Sequence, residues 1–357
     1  MPFDNKLYIL SSACISPQKN FNEELHEETL INYTDNRLVC LHPDYKAYIN
    51  PVQIRRMSYV LKMGFCTALA CLQKTTEIPV DAIICATGKG SMFDTEAFLH
   101  AIRDYQETAL NATHFIHSTY NQVSGLVAMN KKINSYNITY VHRGFSFENA
   151  MIDAMLQAEV NEDSTTLLGT FDEMTAEHFE VKSQWDYWKK EKINSLALHQ
   201  HCSKGTIAGE GAAFFLLSNK PIAQTPFIMD CKTLYETPAT NIVSEIDSFL
   251  KENNMQASKI DLLMLGENGN IALEESFSNV VNHFRQAIKT NFKHLCGEYD
   301  TAVSFALTLV KDCLCNNSVP SFLCRTSEDA SKRKDLRYAL IYNNYFHQNQ
   351  SLILMGI

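Results

Sequence analysis

Residues 139–154, TYVHRGFSFENAMIDA, run from a strand-like stretch through one glycine into a helix. That layout presents a single side chain at a helix N-terminus. A thiol or hydroxyl placed there gains from the helix field and from free backbone N–H groups, which favour an anion and can hold a developing oxyanion. At the bend stand His142, Arg143, Gly144 and Phe145, with Ser146 next, and a glycine has nothing with which to attack a substrate. Other reactive residue types are scattered. His199 and His201 are two apart, poor spacing for a metal on a helix, and read as surface or core groups. Cys313 and Cys315 form a CxC with no second pair, which reads as ordinary buried thiols. Cys296 stands near Lys293 and Glu298, and Glu298 lies four residues from His294, so these two form either an acid–base pair on one helical face or a simple surface pair.

Positioning any such group takes a core, and 357 residues with 45% hydrophobic content can bury a large one, as one big domain or two intimately packed halves. The net charge of −9 leaves no overall basic field to gather nucleic acid or an anionic membrane. No window of about 18 uncharged apolar residues exists, and the N-terminus MPFDNKLYILSSACIS has an acid before its first lysine, so a cytosolic chain without a membrane span is expected. Eleven scattered cysteines, an odd count with no CxxC, fit free thiols in a reducing compartment. Neither a metal nor a cofactor is expected.

Strands are expected at 7–16, 81–87, 165–169, 209–218, 260–266, 337–342 and 351–356, each a short apolar run. Helices are expected over 52–73, from Asp94 onward, over 271–289 and over 299–313. Phe147, Ala150, Met151, Ala154, Met155 and Ala158 follow a helical period and predict a helix buried on one face. Residues 174–204, with both tryptophans, fit neither period and read as an irregular surface excursion. Alternating β and α elements with buried strands imply a layered α/β fold.

Four stretches then line up in order. YILSSACISP is similar to the opening strand, RRMSYVLKMGFCTALACL to the first core helix, STYNQVSGLVAM to the segment before the nucleophile, and GEGAAFFLLS to the turn and strand beyond it, in the β-ketoacyl synthase family of the thiolase fold. The resemblance spans essentially the whole chain. It implies two similar α/β halves in an αβαβα layering, divided here as 1–218 and 219–357, a tight dimer, and condensation of an acyl thioester with a malonyl unit on acyl carrier protein. Such synthases use a cysteine, two histidines and a supporting lysine.

By that register Asn121 and Gly125 match the run preceding the cysteine, Gly144 stands at the cysteine itself, and Ser146 and Ala150 fall on downstream small residues. Gly266 stands at the first histidine and Glu298 at the second, while Lys293 matches the lysine. The glycine-rich gating loop, Gly-Phe-Gly-Gly-x-Asn, resembles NYFHQN at 344–349, where Phe346 and His347 add volume, so a closed or absent gate is expected. His142, Arg143, Phe145, Ser146, Asn268, Phe346 and His347 are expected around the degenerate pocket or its turn, with His142 and Arg143 plugging it, holding a carboxylate or packing against Glu298.

The resemblance therefore implies a catalytically silent subunit, comparable to the chain-length factor that pairs with an active ketosynthase in type II polyketide and aryl-polyene systems. Ser118, Thr119, Tyr120 and Asn121 are its dimer and tunnel candidates, Tyr120 being equally readable as a core aromatic. Acyl carrier protein would meet it through the active partner, since a −9 chain is not an obvious docking surface for an acidic protein. Two alternatives stay open. One is an acyltransferase with chemistry relocated to Ser146, His142, Cys296 or Glu298; the other is a homodimeric scaffold that binds an acyl chain or nothing.

Overall fold

AIICA at 82–86 and GAAFFLLS at 211–218 have no polar face, so each must lie in a sheet covered on both sides. A computed structural model, which describes residues 3, 5–75, 78–106, 108, 110–332 and 335–357, places them so. Its strands are β1 (Leu7–Ile15), β2 (Ala82–Ala86), β3 (Tyr136–Tyr140), β4 (Thr165–Asp172), β5 (Gly211–Ser218), β6 (Phe227–Tyr235), β7 (Leu262–Leu265), β8 (Ile288–Asn291), β9 (Tyr338–Tyr345) and β10 (Asn349–Gly356).

The strand order is β3-β2-β4-β5-β1-β6-β10-β9-β7-β8. Read inward from either edge, each set of five runs third, second, fourth, fifth, first in its own chain order. The sets join through Leu7 opposite Ile228 and Tyr8 opposite Phe227. Alternate residues of each strand then meet different layers. Ile83, Cys85, Leu167 and Phe214 face the helices Tyr59–Gln73 and Gln122–Lys131 on one outer side. Leu263, Leu265, Leu340 and Leu352 face Ile242–Glu252 and Glu274–His283 on the other. Between the sheets' inner faces run two central helices, Ser146–Val160 and Val303–Asn316, packed on Ile84, Leu168 and Phe215 from one set and Met264, Ile341 and Ile353 from the other. This is the expected five-layer α/β arrangement.

Several element boundaries differ from expectation. The helix read over 52–73 breaks at Arg55–Ser58 into Pro51–Ile54 and Tyr59–Gln73. The helix read over 271–289 ends at His283, because Ile288–Asn291 pairs in parallel with β7. The second central helix starts at Val303 rather than 299 and reaches Asn316. Strand β6 and the helix Ile242–Glu252 were not expected, although Ile242, Ile246, Phe249 and Leu250 follow a helical period that signals the helix. The excursion 174–204 is less irregular than its composition implied: Ala176–Ser183 is a helix whose cap, Thr175 Oγ1, accepts from His178 N. Phe179 of that helix stacks on buried Trp188 at 5.7 Å. A division at 218/219 falls in the connection between β5 and β6.

The sheet's two edges are unlike. All four residues of β8 are buried, and Thr290 bridges to Cys324 outside it. The outer strand β3 leaves Tyr136 and Asn137 exposed.

Candidate functional site

A helix that begins under a sheet edge leaves its first N–H groups unpaired by the helix itself. Both central helices begin at the same end of the core, and the turns before them hold the positions at issue. Strand β3 ends at Tyr140, and Arg143–Phe145 form a 3-10 turn that runs into Ser146–Val160. Ser146 Oγ accepts from His142 N at 2.7 Å and donates to Arg143 O at 2.8 Å. Its hydroxyl is thus consumed in closing the turn. His142 and Arg143 are exposed, and His142 stacks on Phe145 at 5.7 Å. They neither plug a pocket nor pack on Glu298, which corrects that expectation; the turn's buried face carries Gly144 and Phe145 instead.

Gly144 is buried, and its missing side chain leaves no cavity. A β-carbon there would lie 2.6 Å from Tyr345 Cδ1, 2.8 Å from its Cγ and 3.1 Å from Asn349 Cβ. The ring of Tyr345, last residue of β9, occupies the space a thiol would need. It is anchored from beneath. Tyr345 OH donates to Asp300 Oδ1 at 2.9 Å and accepts from Lys182 Nζ at 3.3 Å. Asp300 also pairs with Lys89. Burial opposes its ionisation, but Lys89 and Lys182 together hold its carboxyl below the usual range. Burial pushes the Lys182 amine down to about 8 despite Asp300. Beside them Asp172 accepts from Gly88 N, Thr87 Oγ1, Thr301 N and Thr301 Oγ1, while burial, and then the Asp300 charge, raise its carboxyl.

Gly266, just beyond β7, is filled in the same way. A β-carbon there would lie 2.3 Å from Asn343 Oδ1 and 3.2 Å from Asn343 Cα. At the third position Glu298 is wholly buried and pairs with equally buried Lys293, and its Oε2 accepts from Asn268 Nδ2 at 2.9 Å. Glu298 makes no pair with His294. That histidine turns away to His199, 3.3 Å between Nδ1 and Nε2, and to Phe322 O at 3.0 Å. Both imidazoles are held neutral by burial, which pushes His199 down to about 4 and His294 to about 3.

Cys296 is fully buried and burial pushes its thiol far above the usual range, so it supplies no thiolate. The segment 344–349 is a hairpin turn: Tyr345 pairs with Asn349, and Phe346 and His347 have φ of 50° and 64°. Phe346 packs on Tyr187 at 4.4 Å and on Tyr345 at 4.7 Å, which ties the turn to the excursion. The left-handed conformation suited to glycine is therefore kept without glycine. One more group was missed: Glu148, on the first central helix, is fully buried with neither oxygen hydrogen-bonded. Burial raises its carboxyl to about 7, and Ser351 opposes the shift without reaching hydrogen-bond distance.

Ser118, Thr119, Tyr120 and Asn121 come together outside this core. With Thr95, Thr139 and Val141 they line an open cleft of about 540 Å³ beside β3. Tyr120 is half exposed there, so it is not a core aromatic in this chain. Among the described residues no three His, Cys, Asp or Glu side chains are placed to hold a metal ion, and no helix is long and apolar enough to cross a membrane.

Residues 39–210 match the family described as "Beta-ketoacyl synthase, N-terminal domain". No curated protein matches the chain. Among solved structures, "the ishigamide ketosynthase/chain length factor" superposes with a TM-score of 0.76 at 12% identity, covering 99% of both chains. A type II polyketide synthase acyl-carrier protein in complex with its ketosynthase bound to the hexaketide gives 0.75 at 11% identity, again over 99% of each chain. A β-ketoacyl synthase from Burkholderia phymatum STM815 gives 0.75 at 11% identity over the same shares. At these identities the likeness is one of fold.

Proposed function

With residues 39–210 matching the β-ketoacyl synthase N-terminal domain, we propose that this chain is a member of that family and the catalytically silent half of a ketosynthase pair. It completes the dimer, steadies the cysteine-bearing partner, and shapes the space into which the growing acyl chain extends. The observation that carries this reading is the filled space at Gly144, where Tyr345 lies 2.6 Å from where a β-carbon would be. No acyl group can be loaded on a position that has neither sulfur nor room for it.

The other two positions support the same reading. Asn343 stands in place of an imidazole beside Gly266, and Glu298 is locked to Lys293. Decarboxylation of a malonyl thioester needs donors to the thioester oxygen, and a buried carboxylate already engaged by a lysine offers none. The relocated-nucleophile alternative finds no support in the hydroxyl of Ser146, spent on its own turn, or in the unionised thiol of Cys296. In this reading the 1–218 and 219–357 halves act as one scaffold in the cytosol, acyl carrier protein is met mainly through the partner, and the product belongs to a polyene or related polyketide-type pathway.

The test is reconstitution with a cysteine-bearing ketosynthase, acyl carrier protein and malonyl units. Substituting Tyr120, which lines the cleft beside β3, is expected to change the distribution of product lengths while leaving the rate of the first condensation in place. Condensation by this chain without a partner would refute the proposal.

A further inference from the structure

We propose that Glu148, Asn343 and Ser351 bind one bare monovalent cation, sodium or potassium, between the first central helix and the hairpin of β9 and β10. Register brings the three together. Tyr345 and Asn349 pair directly, and they are the two residues that a β-carbon at Gly144 would meet. Side chains on one face of a strand recur at every second residue, so the next inward pair is Asn343 with Ser351, and the one after it is Ile341 with Ile353. Glu148 lies one helical turn beyond Gly144 and so stands at the level of Asn343 and Ser351. Ser351 accordingly acts on the Glu148 carboxyl.

That level is sealed on both sides. The Tyr345 ring lies on one, and Ile341, Ile353, Met151 and Met155 of the central core lie on the other. Glu148 is 0% exposed, Ser351 1% and Asn343 4%. Even so, Glu148 Oε1 and Oε2, Asn343 Oδ1 and Ser351 Oγ have no hydrogen-bond partner among the described residues. Other buried carboxylates of this chain are well served. Asp172 accepts from Gly88 N, Thr87 Oγ1 and Thr301, and Glu210 accepts from Cys40 N, Met174 N and Tyr59 OH. Around Glu148 only Ser351 and its own backbone N–H come near, and neither reaches hydrogen-bond distance. Leaving polar oxygens buried and unpaired is costly, and a carboxylate the most so.

The chemistry of the four oxygens selects the occupant. A set of acceptors repels an anion and suits an ion that is coordinated by carboxylate, carbonyl and hydroxyl oxygen. One carboxylate balances one positive charge, whereas a divalent ion would leave an uncompensated charge in the core. Lys293 cannot take this place, because Glu298 already engages it. The other titratable group that acts here is the Cys231 thiol on β6, which burial and the nearby Glu148 keep protonated. A cation and a proton then compete for the same carboxylate. Without the cation burial raises the Glu148 carboxyl to about 7, so the cation is taken up above that pH and displaced by protons below it.

The experiment compares urea denaturation of the full chain, refolded in sodium chloride, in potassium chloride and in choline chloride at equal ionic strength, choline being too large for the site. At about pH 8 sodium or potassium is expected to lower the unfolding constant relative to choline, by roughly tenfold once the ion stands at about ten times its dissociation constant. At about pH 5, where the proton holds the carboxyl, the difference is expected to vanish. Glu148→Gln keeps the shape without the charge and is expected to abolish the difference at the higher pH. Ser351→Ala removes one ligand and should require several-fold more salt for the same gain. Identical midpoints in all three salts at about pH 8 overturn the proposal, and so does a sodium or potassium response that Glu148→Gln retains. Condensation by the isolated chain would sink the silent-subunit reading and leave this site untouched.

Discussion

At the turn before the first central helix, Gly144 withdraws to bare backbone and Tyr345 brings in a ring; at the turn before the second, Glu298 brings a charge and Lys293 answers it. The first position is closed by volume and the second by electrostatics. Gly266 follows the first pattern, with Asn343 in the vacated space. The contrast shows that these three positions are not simply bare. A neighbour fills the space beside each glycine and Lys293 engages Glu298, so placing a reactive residue at any of them meets an obstacle particular to its site.

Breaking the charged site is expected to cost most. Glu298→Ala leaves Lys293 buried without its partner and should lower stability by about 3–5 kcal/mol in chemical denaturation, whereas Lys293→Met with Glu298→Leu should recover most of that loss. A double variant as unstable as the single one would mean the pair's packing, not its charge, matters.

Glu148 sharpens the contrast as a buried acid with no hydrogen-bond partner, on which Lys293 acts only from a distance. Its carboxyl is raised from 4.5 to about 7, so the folded chain resists an ionisation that the unfolded chain undergoes freely. Wild-type stability is therefore undiminished by this group below about pH 4.5, falls as pH rises, and has lost the full contribution above about pH 7. Glu148→Gln removes the effect, and its advantage over wild type should grow across that window to about 3 kcal/mol and then level off. An advantage independent of pH would show that Glu148 does not titrate there.

The volume-closed site should respond more weakly. Gly144→Cys forces the Tyr345 ring aside, which should cost about 2 kcal/mol, and the variant should still fail to condense acyl groups. Pairing it with Tyr345→Ala should relieve the steric cost, as read by the denaturation midpoint. Tyr345→Phe keeps the ring but drops the bond to ionised Asp300, a loss of about 1.5 kcal/mol. The smallest effect expected is a gain: His347→Gly, at φ of 64° on an exposed turn, should stabilise by about 1 kcal/mol.

Much of the frame was legible because apolar runs such as AIICA and GAAFFLLS permit only one placement, and the resemblance singled out Gly144, Gly266 and Glu298 as expected site positions. The plugs were not. Tyr345 falls on an aromatic position of the loop motif, and Asn343 on an unremarkable strand residue, so nothing in either type announces that it fills a gap more than 75 residues away in the sequence. Long-range contacts of that kind arise from the pairing of β9 with β7 and β10, which no local period encodes. The same limit explains Glu148. Its neighbours on the helix predicted a buried face, but only the packing against β10 shows that the carboxylate faces it without a partner.

Intact-mass measurement of the purified chain after incubation with acyl and malonyl thioesters tests the central claim most directly. An unshifted mass, with no carbon dioxide released, is the result expected of a site whose nucleophile position is occupied by a tyrosine ring. A stoichiometric acyl adduct on any residue of this chain would contradict it.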